Sequence, residues 1–152
     1  MRIRTVQHGD QQIACIALPD GRLARVDRVL GGASPDLLSL LQTGRLGALA
    51  KLVDAGVDDQ QCVDPQSPVL APWTRPRKIL GIGLNYGAHA GDLGERAPRT
   101  SPASFLKGDH TIVGPGEPIV VPPGIGKVTS EAELGLVIGR TCYQVGVDEA
   151  MS

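Results

Sequence analysis

The sequence has no excess of charge of one sign, little cysteine and no long hydrophobic run. Its 15 Lys and Arg residues nearly balance 16 Asp and Glu residues, so it lacks the broad electrostatic footprint of a protein that binds nucleic acid or an anionic membrane. The three cysteines are far apart without CxxC spacing, which argues against a disulfide framework or a zinc knuckle. The apolar stretches are far shorter than the ~20 residues that span a bilayer. We therefore expect a cytoplasmic protein that binds neither nucleic acid nor membrane.

Glycine and proline, in contrast, are abundant. The 20 glycines and 12 prolines make up about a fifth of the chain, against a usual share of roughly 12%. This composition excludes long helical bundles and predicts a turn-rich chain, while 41% hydrophobic residues are enough to build a core. The expected fold class is α+β or mostly β.

The first part of the chain predicts a small αβ unit. Alternating apolar residues and short turns indicate an antiparallel meander over residues 2–26. Ser34 is a candidate N-cap of a following helix, and a second amphipathic helix is predicted over residues 45–55. The proline-bearing stretch 57–77 then marks a boundary between two units.

We accordingly expect a small N-terminal domain at residues 1–72 and a second, β-rich unit at residues 73–152. The segment 85–95 is short and polar, which favours a loop or a single-turn helix. Predicted strands of the second unit cover residues 78–83 (buried), 105–107, 118–121 and, with the strongest signal, 131–140.

The sharpest chemical feature is the motif Glu131-Ala132-Glu133. In a strand, residues two apart point to the same face, so the two carboxylates could converge on a hard cation such as Mg²⁺, Mn²⁺ or Ca²⁺. Ser130 and Glu133 also fit a capping box, which would open a helix and separate the carboxylates. A solvated strand edge without a cation is a further alternative.

A second feature is His89, followed three residues later by Asp92. In a short helix the carboxylate could orient the imidazole and raise its basicity, which would make a general-base dyad. The alternative is a solvated histidine on a surface loop. Lys107 could likewise anchor an anionic carboxylate, or be an ordinary surface lysine.

Three blocks of the sequence, LGIGLNYGAHAGD, PASFLKGDHTIVGPGEPIVVP and VTSEAELGLVIGR, resemble in order and spacing the first part of the fumarylacetoacetate hydrolase family. The resemblance runs from about Trp73 to the last residue, and residues 1–72 resemble the small N-terminal domain of many members. It implies a mixed β-roll and an enzyme that cleaves, decarboxylates or isomerises 2-oxo and β-diketo acids with Mg²⁺ or Mn²⁺.

The resemblance also implies roles for individual residues. Glu131 and Glu133 match two glutamate metal ligands, and His89 matches a histidine that acts as a general base or orients water. Asp92 stands where the family usually has Glu, with a shorter reach. Further matches at substrate-binding and loop-shaping positions are Asn85, Tyr86 and Lys107.

Family members continue with a stretch that supplies an aspartate ligand, a catalytic lysine and the rest of the roll, so the resemblance implies a truncated catalytic domain. The first hypothesis is therefore a metal-dependent hydrolase or lyase acting on a small 2-oxo acid. The alternative is a non-catalytic fragment or subunit that works as a homodimer or with a completing chain, because an unpaired sheet edge promotes association. A small β-rich binding domain is the third hypothesis.

Overall fold

A computed structural model describes residues 1–32, 36–73, 75–92 and 94–150, with the backbone alone for His89 and Asp92. The strands are β1 (Arg2–His8), β2 (Gln11–Ala17), β3 (Leu23–Arg25), β4 (Cys62–Val63), β5 (Val69–Leu70), β6 (Ile79–Gly83) and β7 (Ala103–Lys107). The helices are α1 (Val26–Val29), α2 (Leu37–Gln42), α3 (Leu46–Ala55) and α4 (Gly87–Asp92), with three short 3₁₀ turns at Asp59–Gln61, Asp109–Thr111 and Val147–Glu149.

The first half of the chain builds a five-stranded antiparallel sheet in the order β4-β3-β2-β1-β5. Strands β1 and β2 form a hairpin in which His8 pairs with Gln11. The two-residue connection requires a left-handed backbone, and Gly9 supplies it with a φ of 57°. The predicted meander is confirmed.

Strand β2 is the centre of the hydrophobic core. Its residues Ile13, Ala14, Cys15 and Ile16 are all buried, because β2 has a neighbour on each side and both of its faces are covered. One face packs against the helices through side chains that include Ile16, Val26, Leu40 and Leu49. The other face forms a smaller cluster of Val6, Ile13, Cys15 and Leu23.

Helix α2 begins two residues later than predicted. Ser34 lies outside the described residues, and the cap is Asp36, whose side chain accepts a hydrogen bond of 2.8 Å from the backbone N–H of Ser39. Helix α3 occupies the predicted second helical segment and ends at Gly56, whose φ of 117° ends the helical run.

The second half forms fewer strands than the sequence predicts. Strands β6 and β7 pair as an antiparallel hairpin, but β6 is only partly buried. Residues 118–121 and 131–140 contain neither strand nor helix, so the predicted strands there are wrong, as is the helix that Ser130 could have capped. A strand forms beside another strand that accepts and donates its backbone hydrogen bonds, and the two sheets of the described chain do not include these residues.

The observed architecture is therefore α+β with two separate antiparallel sheets. The Thr5 hydroxyl donates a 2.6 Å hydrogen bond to the carbonyl of Pro72, which ties the end of the predicted first domain to strand β1. The domain boundary itself remains a prediction. Among the described residues, no helix is both long enough and apolar enough to cross a membrane.

Candidate functional site

Strand β6 is connected to the candidate site by a residue with a strained backbone. Leu84 follows β6 directly and has a φ of 55°, a left-handed conformation that is rare for a bulky side chain and costs about 1–3 kcal/mol. The bend turns the backbone from the strand into Asn85 and Tyr86, which precede α4. Strain of this kind concentrates at functional sites, which is consistent with the predicted role of these residues.

Helix α4 shows that the segment around His89 is a short helix of six residues rather than a loop, the two alternatives that the sequence left open. Its first turn is closed by a 3.0 Å hydrogen bond from the N–H of Ala90 to the carbonyl of Tyr86, and Ala90 is fully buried. His89 and Asp92 are both in this helix, three residues apart as expected, while their side chains lie outside what the structure describes. The general-base dyad therefore stays a prediction.

Strand β7 carries Lys107 on a face shared with Phe105. The Lys107 ammonium lies 5.6 Å from the centre of the Phe105 ring, within the range of a cation–π contact. The ring covers Gly81 on the neighbouring strand, where an added Cβ would come within 2.7 Å of ring atom Cε2. Position 81 therefore accommodates only glycine without a shift of the Phe105 ring, because the ring occupies the space that a side chain would need.

The hairpin places Lys107 and α4 at opposite ends. Lys107 pairs with Ile79 at the start of β6, whereas α4 follows Gly83 at its end. Four residue steps along a strand span about 14 Å. Within the described backbone, the hairpin therefore does not bring Lys107 to the same end as α4.

Glu131 and Glu133 lie on an exposed stretch without regular secondary structure. Two carboxylates supply hard oxygen ligands of the kind that Mg²⁺ and Mn²⁺ prefer, but these ions take about six ligands. No cluster of three or more His, Cys, Asp or Glu side chains able to hold a metal occurs among the described residues. The two glutamates therefore fit part of a divalent-cation site and do not complete one.

A cleft of about 270 Å³ lies elsewhere, in the N-terminal half. Its lining includes Thr5, Asp36, Trp73 and Arg75. None of these is identified as functional from the sequence, because only the long-range fold brings β1, α2, Trp73 and Arg75 together. Of the predicted site residues whose side chains the structure describes, none lines this cleft.

Comparison with protein families identifies the second half of the chain. Residues 78–152 match the family model described as "Fumarylacetoacetate (FAA) hydrolase C-terminal". Through this stretch the chain belongs to the fumarylacetoacetate hydrolase family. The matched stretch contains every residue to which the sequence analysis assigned a role in the site.

Individual proteins show similarity over different parts of the chain. A Burkholderia lata protein named as a "putative hydrolase" is 35% identical over 140 residues, which covers 86% of this chain and therefore extends into the N-terminal half. The mitochondrial oxaloacetate tautomerase Fahd2a of Rattus norvegicus is 38% identical over 90 residues, or 58% of this chain. A crystal structure of a "putative HpcE protein" from Mycobacterium smegmatis has a similar fold over 82% of this chain, with a TM-score of 0.61 and 24% identity.

The chain is shorter than these proteins. It spans 43% of the Burkholderia protein, 28% of the rat protein and 42% of the Mycobacterium chain. The similarity to the Burkholderia and Mycobacterium proteins extends over both halves of this chain. It covers less than half of the length of each relative.

Proposed function

We propose that this chain provides part of an enzyme that acts on a small 2-oxo or β-diketo acid, by hydrolysing a C–C bond, by decarboxylation or by tautomerisation. The observation that carries the proposal is the family match of residues 78–152, which includes the Glu-x-Glu motif and the histidine of α4. The relatives are named as a putative hydrolase and as an oxaloacetate tautomerase. Hydrolysis of the C–C bond of a β-diketo acid and tautomerisation of a 2-oxo acid both pass through an enol or enolate.

In this proposal, Glu131 and Glu133 are two of the ligands of a Mg²⁺ or Mn²⁺ ion, with Ca²⁺ as a further possibility of the same ligand chemistry. When bound, such an ion stabilises negative charge that develops on an enolate oxygen. The remaining oxygen ligands come from outside the described residues, since these hold no complete set.

The other predicted residues manage protons and substrate position. His89 accepts or returns the proton at the reacting carbon or orients a water, and Asp92 holds the imidazole in position. Asn85 and Tyr86 shape the loop into α4. Lys107 provides a positive charge for a substrate carboxylate, and its distance from α4 along the hairpin makes it the assignment with the least support from the backbone.

A second candidate function is a non-catalytic fragment or subunit that needs a partner chain to complete the site. It is favoured by the exposure of nearly every residue from 108 to 150, which leaves room for a partner chain to cover them. In that case Glu131 and Glu133 contribute ligands only within an assembly.

The test is an assay of the enzyme that contains this chain, with oxaloacetate and an acylpyruvate in Mg²⁺ or Mn²⁺, following loss of enol absorbance. We expect Glu131→Gln and Glu133→Gln each to lower the rate by at least about 100-fold, the scale of losing one electrostatic stabiliser. Glu149→Gln, which makes the same substitution outside the proposed site, should keep the rate. Titration with Mn²⁺, followed by its electron paramagnetic resonance signal, reports the ligands independently of turnover.

The outcomes separate the two candidates. Turnover or Mn²⁺ binding that is lost in both site variants and kept in Glu149→Gln supports the enzyme. Turnover that survives both site variants would overturn the metal assignment. Absence of both turnover and Mn²⁺ binding from the enzyme that contains this chain favours the non-catalytic alternative.

A further inference from the structure

The outer edge of the N-terminal sheet meets the second half of the chain. Strand β5 is the last strand of the five-stranded sheet and pairs there with β1. Ala71, the residue that follows β5, is only 8% exposed. A Cβ added to Gly114 would lie 3.3 Å from the backbone nitrogen of Ala71, which is closer than an ordinary van der Waals contact. The backbone of the second half therefore approaches the end of β5 closely at Gly114.

Space, rather than backbone conformation, makes position 114 favour glycine. The φ of Gly114 lies outside the left-handed region. Gly116 differs, because its φ is 78° and no described atom lies within 4 Å of the place where its Cβ would be. The two glycines thus have different roles. Gly116 permits a turn of the backbone, and Gly114 permits the approach of that turn to Ala71.

The turn is held in one conformation by its own residues. The N–H of Gly114 donates a 2.7 Å hydrogen bond to Oε2 of Glu117, and the N–H of Glu117 donates a 3.1 Å hydrogen bond to the carbonyl of Gly114. Pro115 and Gly116 occupy the central positions of a type II turn, which favour proline and a residue with positive φ. We call residues 114–117 the Gly114 turn. A turn fixed in this way loses little conformational freedom when it packs against another segment.

The surface that receives the Gly114 turn is also fixed. The hydroxyl of Thr5 donates a 2.6 Å hydrogen bond to the carbonyl of Pro72, and the N–H of Gln7 donates a 2.9 Å hydrogen bond to the carbonyl of Pro68. These two bonds hold residues 68–72 on β1, which lies beside the central strand β2. The contact at Ala71 therefore joins two segments that are each ordered by hydrogen bonds of their own.

We propose that the Gly114 turn is an intramolecular docking element that fastens the second half of the chain to the edge of the N-terminal sheet. A loop that covers the end of an edge strand also protects that edge from pairing with other chains. The proposal goes beyond the proposed function and does not depend on it, because no residue of the candidate site takes part in the contact. Its consequence is that residues 67–73 and the Gly114 turn open together, when the contact is released.

Hydrogen exchange of the protein that contains this chain, followed by mass spectrometry, tests the contact. Gly114→Val adds side-chain atoms where the backbone of Ala71 and the carboxyl group of Glu117 lie. We expect exchange in peptides over residues 67–73 to become at least about fivefold faster, the scale of the net contribution of one hydrogen bond. Peptides over β2 should keep the rate of the wild type, because the core around β2 is not part of the contact.

Gly32→Val is the matched control for this substitution. The φ of Gly32 also lies outside the left-handed region, and no described atom lies within 4 Å of the place where its Cβ would be. The variant should therefore leave exchange at residues 67–73 unchanged.

A second pair of variants tests the hydrogen bond that closes the Gly114 turn. Glu117→Ala removes the acceptor of the Gly114 N–H and should accelerate exchange at residues 67–73, as Gly114→Val does. Glu117→Gln retains a side-chain carbonyl oxygen that can accept the same bond, so it should restore most of the protection. This rescue distinguishes loss of the hydrogen bond from loss of the charge.

Several results would overturn the proposal. Unchanged exchange at residues 67–73 in both Gly114→Val and Glu117→Ala means that the turn does not hold this segment. Equal acceleration over β2 attributes the effect to global destabilisation. The same acceleration in Gly32→Val removes the specificity for position 114, and a Glu117→Gln variant as fast as Glu117→Ala contradicts the hydrogen bond as the cause.

Discussion

Ile16 offers the sharpest test of where the stability of this chain resides. Its side chain is 1% exposed in the core between β2 and the helices. Replacement by alanine deletes three carbon atoms, worth about 2.4 kcal/mol of transfer free energy, and leaves a cavity that adds to the loss. We expect Ile16→Ala to lower the free energy of unfolding by about 3 kcal/mol.

Ile119 provides a control with the same side chain and the same deletion. It is 72% exposed, so Ile119→Ala should lower the free energy of unfolding by about 0.7 kcal/mol at most. Ile16→Val gives a graded intermediate of about 0.5–1.5 kcal/mol, and it remains measurable if the alanine variant unfolds.

The assay is urea unfolding at a fixed chain concentration, followed by the fluorescence of Trp73, the single tryptophan. Trp73 shares a cleft with Thr5 of β1 and so reports on the N-terminal sheet. A loss of about 3 kcal/mol moves the midpoint down by about 1–3 M urea. Equal shifts for Ile16→Ala and Ile119→Ala would refute the reasoning that the core of this chain is built on β2.

Two further predictions concern the same half of the chain. Burial raises the pKa of the Cys15 thiol from 9.0 to about 11. Because the thiol of the unfolded chain ionises at lower pH than that of the folded chain, the free energy of unfolding should fall between pH 9 and 11. Urea unfolding across that range should show a smaller fall for Cys15→Ala than for the wild type. Asp36→Ala removes the cap of α2 and should lower the free energy of unfolding by about 1 kcal/mol. Asp36→Asn keeps a capping side chain and should stay close to the wild type. Equal losses in the two variants would exclude the capping explanation.

Local signals in the sequence predict the first half of the fold well. The hairpin of β1 and β2 depends on alternation and on a turn at Gly9, and α3 depends on an apolar face ended by Gly56. These features rest on hydrogen bonds between residues close in sequence, so the pattern alone indicates them. The cap of α2 differs from the prediction because Ser34 and Asp36 both have capping side chains, and the choice between them depends on where the helix packs.

The predicted strands at residues 118–121 and 131–140 fail for a different reason. Their apolar and β-branched side chains are typical of strands. A strand, however, is stable only when another strand lies beside it. The sequence of a segment does not indicate which other segment pairs with it.

For the candidate site, too, some features follow from the sequence and others depend on the tertiary structure. Sequence motifs alone identify the family and single out Glu131, Glu133 and His89, because the chemistry of a residue and its spacing along the chain are local properties. Tertiary structure decides what stands beside each residue: it places Lys107 at the far end of the hairpin from α4 and packs Phe105 over Gly81. It also leaves the two glutamates on exposed backbone, because gathering the ligands of a metal requires contacts between distant parts of a polypeptide.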